Sequence, residues 1–174
     1  MDHFWQTIVG LLERLFLCWS IVDQDEQAVR TFCGCRPAAL GPGFHMYWPV
    51  LGFIEATPAS EQVLDISSQS LTTSDHQVIL VGVSVAYAVI DPVRAIYRVI
   101  DRDESIANET LGIVQEFVST HTYAECARTE PMMQHLLTEI RKIVTERWGC
   151  KVFRVRRTDF AKHRVLRLVN DPVV

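Results

Sequence analysis

The residues that could perform chemistry are scattered along this chain, and their spacing matches no common catalytic motif. The sequence contains no G-x-S-x-G, no H-E-x-x-H, no P-loop and no dinucleotide-binding glycine pattern. Its histidines are isolated: His45 and His76 fall in predicted turns, and His121, His135 and His163 lie in or beside predicted helices. An isolated histidine is more typical of a structural or solvated position than of a general base. The sequence therefore predicts a protein that is not an enzyme.

Two charged clusters have structural interpretations. The first cluster comprises Asp101, Arg102, Asp103 and Glu104. It is interpreted as a helix start, because acidic residues at a helix N-terminus interact favourably with the helix dipole. The second cluster comprises Arg154, Arg156 and Arg157, and it is interpreted as the solvated face of a strand rather than a phosphate site.

The cysteines predict reduced thiols. Their number is odd and they are spread over the chain, at Cys18, Cys33, Cys35, Cys126 and Cys150. Cys33-Gly34-Cys35 has the spacing of a ligand pair, but no histidine motif accompanies it, so a strand followed by a turn is the preferred interpretation. No metal or other cofactor is expected.

Composition indicates one globular domain, or one such domain with appendages. The chain has 174 residues, of which 48% are hydrophobic, enough for a core. A net charge of −4 gives no basic field, so no nucleic-acid partner is expected. Asp2 stands where a signal peptide would be basic, and no signal peptide is predicted.

Residues 2–19 predict an amphipathic helix with an apolar half rich in aromatic residues. Glu13 and Arg14 interrupt the apolar run, so the helix is a poor membrane span. It is expected to lie in a membrane interface, to dock in a groove of this protein or a neighbour, or to pack on its own domain. The predicted docking residues are Phe4, Trp5, Ile8, Val9, Leu11, Leu12, Leu15, Phe16 and Trp19, and Cys18 lies on the same half.

The stretch from Leu71 to Pro92 predicts the central strand, over residues 77–90, as the longest of the chain. Its odd positions from Ile79 to Val89 are bulky, and its even positions are mostly small. We expect the bulky face to meet a core and the small face to admit another layer. Asp91 is the expected N-cap of a helix that Pro92 begins.

The remaining pattern predicts an α+β protein whose antiparallel β unit packs against helices. Short strands are expected over 27–33, 44–48, 53–57 and 61–67, with a rigid turn at Gly41-Pro42-Gly43. Helices are expected over 91–100, 103–120, from the capping box at Thr122, and from Glu130 to the stop at Gly149. A strand over 151–158 and a last helix over 159–169 complete the prediction.

Five motifs in this order resemble the SPFH family, also called band 7, which includes stomatins, prohibitins and flotillins. They are I-V-x-x-x-E-x-A-V-R from Ile21, L-G-P-G-F…P from Leu40, L-T-x-S-D from Leu71, V-I-D-P from Val89 and W-G-x-x-V from Trp148. The residues of these motifs with expected structural roles are Gly41, Pro42, Gly43, Pro49, Asp75, Asp91, Pro92, Trp148 and Gly149.

The resemblance implies an SPFH domain over residues 21–170, preceded by the N-terminal helix over 1–20 and followed by a tail over 171–174. It also implies a membrane-associated scaffold on the reducing, cytoplasmic-type side, which forms homo-oligomeric rings and organises or regulates membrane proteins. The partners expected from it are the protein itself, the lipid interface, and integral membrane proteins or other subunits of a large assembly.

Two alternatives to a membrane scaffold remain open at this point. Family members usually continue into a long coiled coil, which the sequence up to Val174 does not contain. A compact ring, or a structural component of a large particle such as a virion, would suit such a chain. A hydrolase-type activity is disfavoured because no nucleophile and base are paired.

Overall fold

The computed structural model describes residue 6 and residues 18–162, and these contain eight strands and four helices. The elements follow one another as β1 (Cys18–Val22), β2 (Glu26–Phe32), β3 (Cys35–Leu40), β4 (Gly43–Tyr47), β5 (Gly52–Pro58), β6 (Gln62–Thr72), β7 (Val78–Val89), α1 (Pro92–Tyr97), α2 (Arg102–Thr120), α3 (Tyr123–Ala127), α4 (Thr129–Trp148) and β8 (Cys150–Lys162).

The strands form three antiparallel sheets. Strands β1 and β4 make a two-stranded ribbon, the order β3-β2-β5 makes a small sheet, and the order β6-β7-β8 makes a large one. Helices α2 and α4 pack against each other and against the large sheet. The predicted α+β class, with an antiparallel β unit packed by helices, is confirmed.

Strand β7 carries the core. Its bulky face is buried from Ile79 to Val89, and Ile79 and Val85 have no exposed surface. The helices cover this face, α4 with a stripe of four fully buried residues: Met132, Leu136, Ile140 and Val144. The stripe begins at Met132, whereas its neighbour Met133 is only partly buried.

Around Gly82, the small face of β7 is crossed by a contact between its two neighbouring strands. Side chains of the two flanking strands reach across it. Ser68 on β6 donates a hydrogen bond of 2.5 Å to Asp159 on β8. A Cβ added at Gly82, which lies between them, would stand 2.6 Å from the Ser68 hydroxyl. Small residues on this face therefore leave room for side chains that tie β6 to β8.

Several predicted boundaries, and the prediction that β7 is the longest strand, are wrong. Strand β8 continues through residues 159–162, where a helix was expected, because these residues keep their pairing with β7 up to Lys162 opposite Ile79. At 13 residues, β8 is also longer than the 12 residues of β7. Helix α1 ends at Tyr97 instead of residue 100. The other part of the predicted last helix, from residue 163 on, lies outside the described residues.

Cys18 and Trp19 correct the predicted N-terminal helix. Both belong to β1, paired with Tyr47 and Met46 of β4, so neither can continue a helix. The other predicted docking residues lie outside the described part of the chain, and their placement stays a prediction: Phe4, Trp5, Ile8, Val9, Leu11, Leu12, Leu15 and Phe16.

Two motifs far apart in sequence meet where α1 begins and α4 ends. Asp91 caps α1 by accepting from the amides of Val93 and Arg94 at 3.1 and 3.2 Å. Gly149 ends α4 in the left-handed conformation, with φ of 65°, and its carbonyl accepts from the Asp91 amide at 2.9 Å. A Cβ at Gly149 would lie 2.9 Å from the Asp91 carbonyl oxygen, so only glycine fits here.

Candidate functional site

The two strands of the ribbon place four large apolar side chains side by side on one face. Trp19 is paired with Met46, and Ile21 with Phe44. Their side chains are 51–70% exposed, whereas Val22 at the end of the ribbon is buried at 2%. We call Trp19, Ile21, Phe44 and Met46 the ribbon face. Because alternate residues of a strand point to opposite sides, these four form one continuous surface.

The turn that precedes β4 sets the register of the ribbon. Gly43 has φ of 138°, a conformation that residues with a Cβ rarely adopt, and it stands opposite Val22. The side chain of His45 lies 2.8 Å, by its Nε2, from the Gly41 carbonyl oxygen. The predicted turn at Gly41-Pro42-Gly43 thus leads into β4, and Gly43, with positive φ, forms the first pair of the ribbon with Val22.

The apolar surface extends beyond the ribbon toward the small sheet. Met46, Trp48 and Phe32 line a common cavity of about 330 Å³. Val50 follows in the turn after Trp48, and it is 62% exposed. Pro49 lies in the same exposed turn. The site predicted at Trp19 therefore has neighbours that sequence reasoning missed, although the alternation of Phe44 and Met46 was a signal that could have found them.

Charged residues are absent from the centre of this surface. Strands β1 and β4 contain no Asp, Glu, Lys or Arg, and neither do residues 38–54. The acidic turn of Asp23 and Asp25 stands beyond the end of β1, and Arg30 is at the margin, lining the cavity. An exposed apolar surface rimmed by charge is typical of a contact with lipid or protein.

A polar junction joins the small sheet to the large one. Arg102, at the start of α2, donates to Thr57 of β5 at 3.0 Å and to the Tyr87 hydroxyl oxygen at 3.3 Å. The Tyr87 hydroxyl has one proton to donate, and it lies within hydrogen-bond distance of both Asp103 and Gln62, the latter at 2.9 Å. The cluster of Asp101, Arg102 and Asp103 is thus a helix start, as expected, but it is also a structural crosslink that the sequence did not reveal.

The environment of the polar junction keeps Tyr87 protonated. Burial, together with the Asp103 carboxylate, raises the pKa of Tyr87 to about 12. Burial acts to lower the pKa of Arg102, but the hydrogen bond to Tyr87 and the Asp103 charge raise it overall. The N–H groups of the Arg102 guanidinium already donate to these protein partners. The adjoining cavity of about 310 Å³, which Arg102 lines, therefore lacks a free guanidinium to bind an anion.

Asp75 holds a helix terminus from the turn between β6 and β7. Its carboxylate accepts from the Thr73 hydroxyl at 2.5 Å and from the Tyr123 amide, at the start of α3, at 3.0 Å. The Thr73 hydrogen bond is the largest of the effects that lower the pKa of Asp75. The capping box predicted at Thr122 is present and involves Glu125.

The three arginines of β8 have three separate environments. Arg154 forms an ion pair of 3.1 Å with Glu61. Arg157 donates to the Cys126 carbonyl at 3.1 Å and lies over the ring of Phe160. Arg156 is exposed and makes no ion pair within the described residues. The expected solvated strand face therefore holds for Arg156, whereas Arg157 is a structural link.

The thiols have no arrangement for catalysis in the described residues. All five cysteines are free, and burial raises the pKa of the Cys150 thiol to about 11, which opposes formation of a thiolate. Cys33 and Gly34 form the exposed turn after β2, and Cys35 begins β3. No group of three histidine, cysteine or acidic side chains in the described ranges could hold a metal ion.

Two histidines have structural positions. His121 stacks on Phe117 with ring centroids 4.0 Å apart, and its Nδ1 lies 2.8 Å from the Phe117 carbonyl oxygen. The ring of His135 packs against the same phenylalanine, with ring centroids 5.3 Å apart. Within residues 18–162, no helix is both long and apolar enough to cross a membrane.

Comparisons with known proteins match this fold to one family. The profile of the SPFH domain / Band 7 family matches residues 20–167. The chain is 25% identical over 148 residues to an uncharacterized protein of Methanothermobacter thermautotrophicus, covering 85% of this chain and 46% of that protein. It is 28% identical over 164 residues to stomatin homologs of Pyrococcus abyssi and Pyrococcus horikoshii, covering 91% of this chain and 60% of each of them. The chain thus spans about half to three-fifths of the length of these relatives.

Proposed function

The chain belongs to the SPFH domain / Band 7 family, and from that premise we propose that it is a non-enzymatic scaffold on a membrane surface. In this proposal the ribbon face contacts the lipid interface, and copies of the chain assemble side by side into a ring that organises membrane proteins. The observation that carries the proposal is the ribbon face itself, four large apolar side chains held in the open by a regular pair of strands.

Lipid is the occupant that the chemistry of the ribbon face favours. Burying one large apolar side chain contributes roughly 1.5–3 kcal/mol, so four together can hold a domain at an interface. Tryptophan is a favoured residue at headgroup depth, and Trp19 is 70% exposed. The ribbon also follows directly on the predicted amphipathic helix, so the helix and the ribbon face would lie on one membrane surface.

The polar groups of the described residues support a scaffold. The most elaborate network, around Tyr87 and Arg102, is used to join the two sheets. A scaffold needs rigid surfaces, and these interactions provide rigidity.

The test is flotation with phosphatidylcholine vesicles of the full chain carrying Ile21→Glu and Phe44→Glu. We expect the vesicle partition coefficient to fall by about a hundredfold, since two large side chains no longer enter the interface. The melting temperature should stay close to that of the wild type because both side chains are exposed, at 69% and 61%.

The matched control carries Ile90→Glu and Ile100→Glu. It has the same added charge, and it also replaces two exposed apolar side chains, which belong to neither strand of the ribbon. It should float like the wild type. If the ribbon variant also floats like the wild type and melts normally, the ribbon face is not the membrane contact.

The predicted N-terminal helix is tested separately with Ile8→Glu and Leu12→Glu. If the helix is an anchor, this variant also leaves the vesicles and remains folded. A lower melting temperature would mean instead that the helix packs on its own domain. If the native protein already fails to float, the apolar surface docks on protein, as in a large particle such as a virion.

A further inference from the structure

The outer face of the large sheet, opposite the helices, carries charge of opposite sign at its two edges. Asp65 on β6 is paired with Ser84 on β7, and Ser84 is paired with Arg156 on β8. The row therefore runs from an exposed carboxylate at one edge, through a small residue, to an exposed guanidinium at the other. Three strands spaced about 4.8 Å apart keep the two charges roughly 10 Å from each other.

Neither charge of this row is paired within the described residues. The ion pairs there include neither Asp65 nor Arg156. The neighbouring row differs, because Arg154 beside Ala86 reaches Glu61 at 3.1 Å and is neutralised within the same chain. The open pair of charges is thus specific to the row of Asp65 and Arg156.

The edge at β8 has an open groove with apolar walls. At the start of β8, α4 closes the edge: Thr145 donates to the Cys150 carbonyl at 3.0 Å, and Arg141 donates to the Val152 carbonyl at 3.1 Å. Beyond Val152 the strand borders a cavity of about 450 Å³. Its apolar lining is Met133, Leu137, Phe153 and Val155.

In the part of the chain that the structure describes, neither edge strand of the large sheet has a second strand partner, and beyond Val152 the backbone of β8 is not closed by α4. Among residues 18–162, β6 and β8 each pair only with β7. Both run antiparallel to β7, so they run parallel to each other. An edge strand with unpaired backbone groups is a template for a strand from another chain.

We propose that β6 of a second copy of this chain docks along β8, so that Asp65 of one copy lies beside Arg156 of the other. The parallel pair extends the sheet from copy to copy, and Val63 of the incoming strand, 62% exposed, stands one row from Asp65, level with Arg154. Because the two surfaces differ, the contact is head to tail and repeats until a ring closes. This inference rests on the proposed assembly and names the surfaces that make it.

The experiment compares Asp65→Arg, Arg156→Glu and the double variant in the full chain by light scattering with vesicles present. Each single variant places like charges side by side, so we expect the concentration for half assembly to rise at least about tenfold. The double variant restores opposite charges and should assemble like the wild type. Glu116→Arg on α2 is the control for a charge change at another exposed site, and it should have no effect.

Mixing the two single variants gives the sharpest result. In an alternating assembly, every contact then joins opposite charges, so the mixture should assemble although each component alone does not. If the wild type assembles but Arg156→Glu assembles equally well, or the mixture fails, the proposed contact is wrong and the scaffold proposal stands. If the wild type does not assemble at all, the failure is that of the proposed assembly itself.

Discussion

The ribbon and the central strand β7 share one pattern and have opposite surroundings. Both alternate large apolar residues with smaller or polar ones. In β7 the large residues are buried beneath α2 and α4, with Val85 at 0% exposure. In the ribbon they face outward, with Trp19 at 70%. Alternation therefore identifies which residues share a face, whereas the presence of a helix over that face decides whether it is a core or a contact surface.

The largest expected difference between the two regions is in stability. Leu136→Ala on α4 should lower the free energy of unfolding by about 2–5 kcal/mol, because it opens a cavity at a site with no exposed surface. Ile21→Ala on the ribbon face should change it by no more than about 0.5 kcal/mol. Urea denaturation of both variants measures these values. Equal losses would mean that the ribbon face is covered in the protein as it exists in solution.

The junction between the sheets predicts a loss of stability at high pH. The pKa of Tyr87 is raised from 10.0 to about 12, so the native state favours the neutral hydroxyl. The stability that this provides is complete below about pH 10 and is lost as the pH rises through about 12, by about 2–3 kcal/mol in all. Unfolding of Tyr87→Phe, measured from pH 9 to 12, should lack this part of the decline. If the stability of Tyr87→Phe falls as steeply with pH as that of the wild type, ionisation of Tyr87 is not the cause of the decline.

Glycine substitutions at the start of the ribbon and at the end of α4, beneath the β7 core, provide the smallest contrast. Gly149→Ala should lower the free energy of unfolding by at least about 1–2 kcal/mol, because φ is 65° and Asp91 leaves no space. Gly43→Ala, at φ of 138° but with nothing near its Cβ position, should cost about 1 kcal/mol. Gly41→Ala, where φ is not positive and space is open, should have the effect of an ordinary surface change. This order would be contradicted if thermal melts showed that Gly41→Ala destabilises the protein more than Gly149→Ala does.

Much of the fold could be predicted from local signals. Asp91 and Gly149 act within a single turn of chain, and both the N-cap and the left-handed stop are where the sequence places them. The error at residues 159–162 has a nonlocal cause. Those residues have no strong strand pattern of their own, and their pairing with Ile79 to Gly82 of β7 holds them extended. Local propensity predicts secondary structure poorly where pairing with a long neighbouring strand can hold a segment extended.

The candidate site was only partly visible in the sequence. Trp19 was placed on an apolar face but in the wrong element: it belongs to β1, and its role as a docking residue stays a prediction. Ile21, Phe44 and Met46 could not be placed beside it without knowing that β4 pairs with β1. The bond between Tyr87 and Asp103 was equally hidden, since it depends on how α2 is laid over β7.

The position of β8 in the large sheet has a consequence for biosynthesis. Strand β7 leaves the ribosome before any of α1 to α4, and β8 is made last of all the described elements. Until then β7 has only β6 beside it, and its other edge presents a long β-branched segment without a charged residue. Such a segment is prone to pair with other chains. We therefore expect nascent chains that stop before residue 150 to be the ones most prone to aggregate.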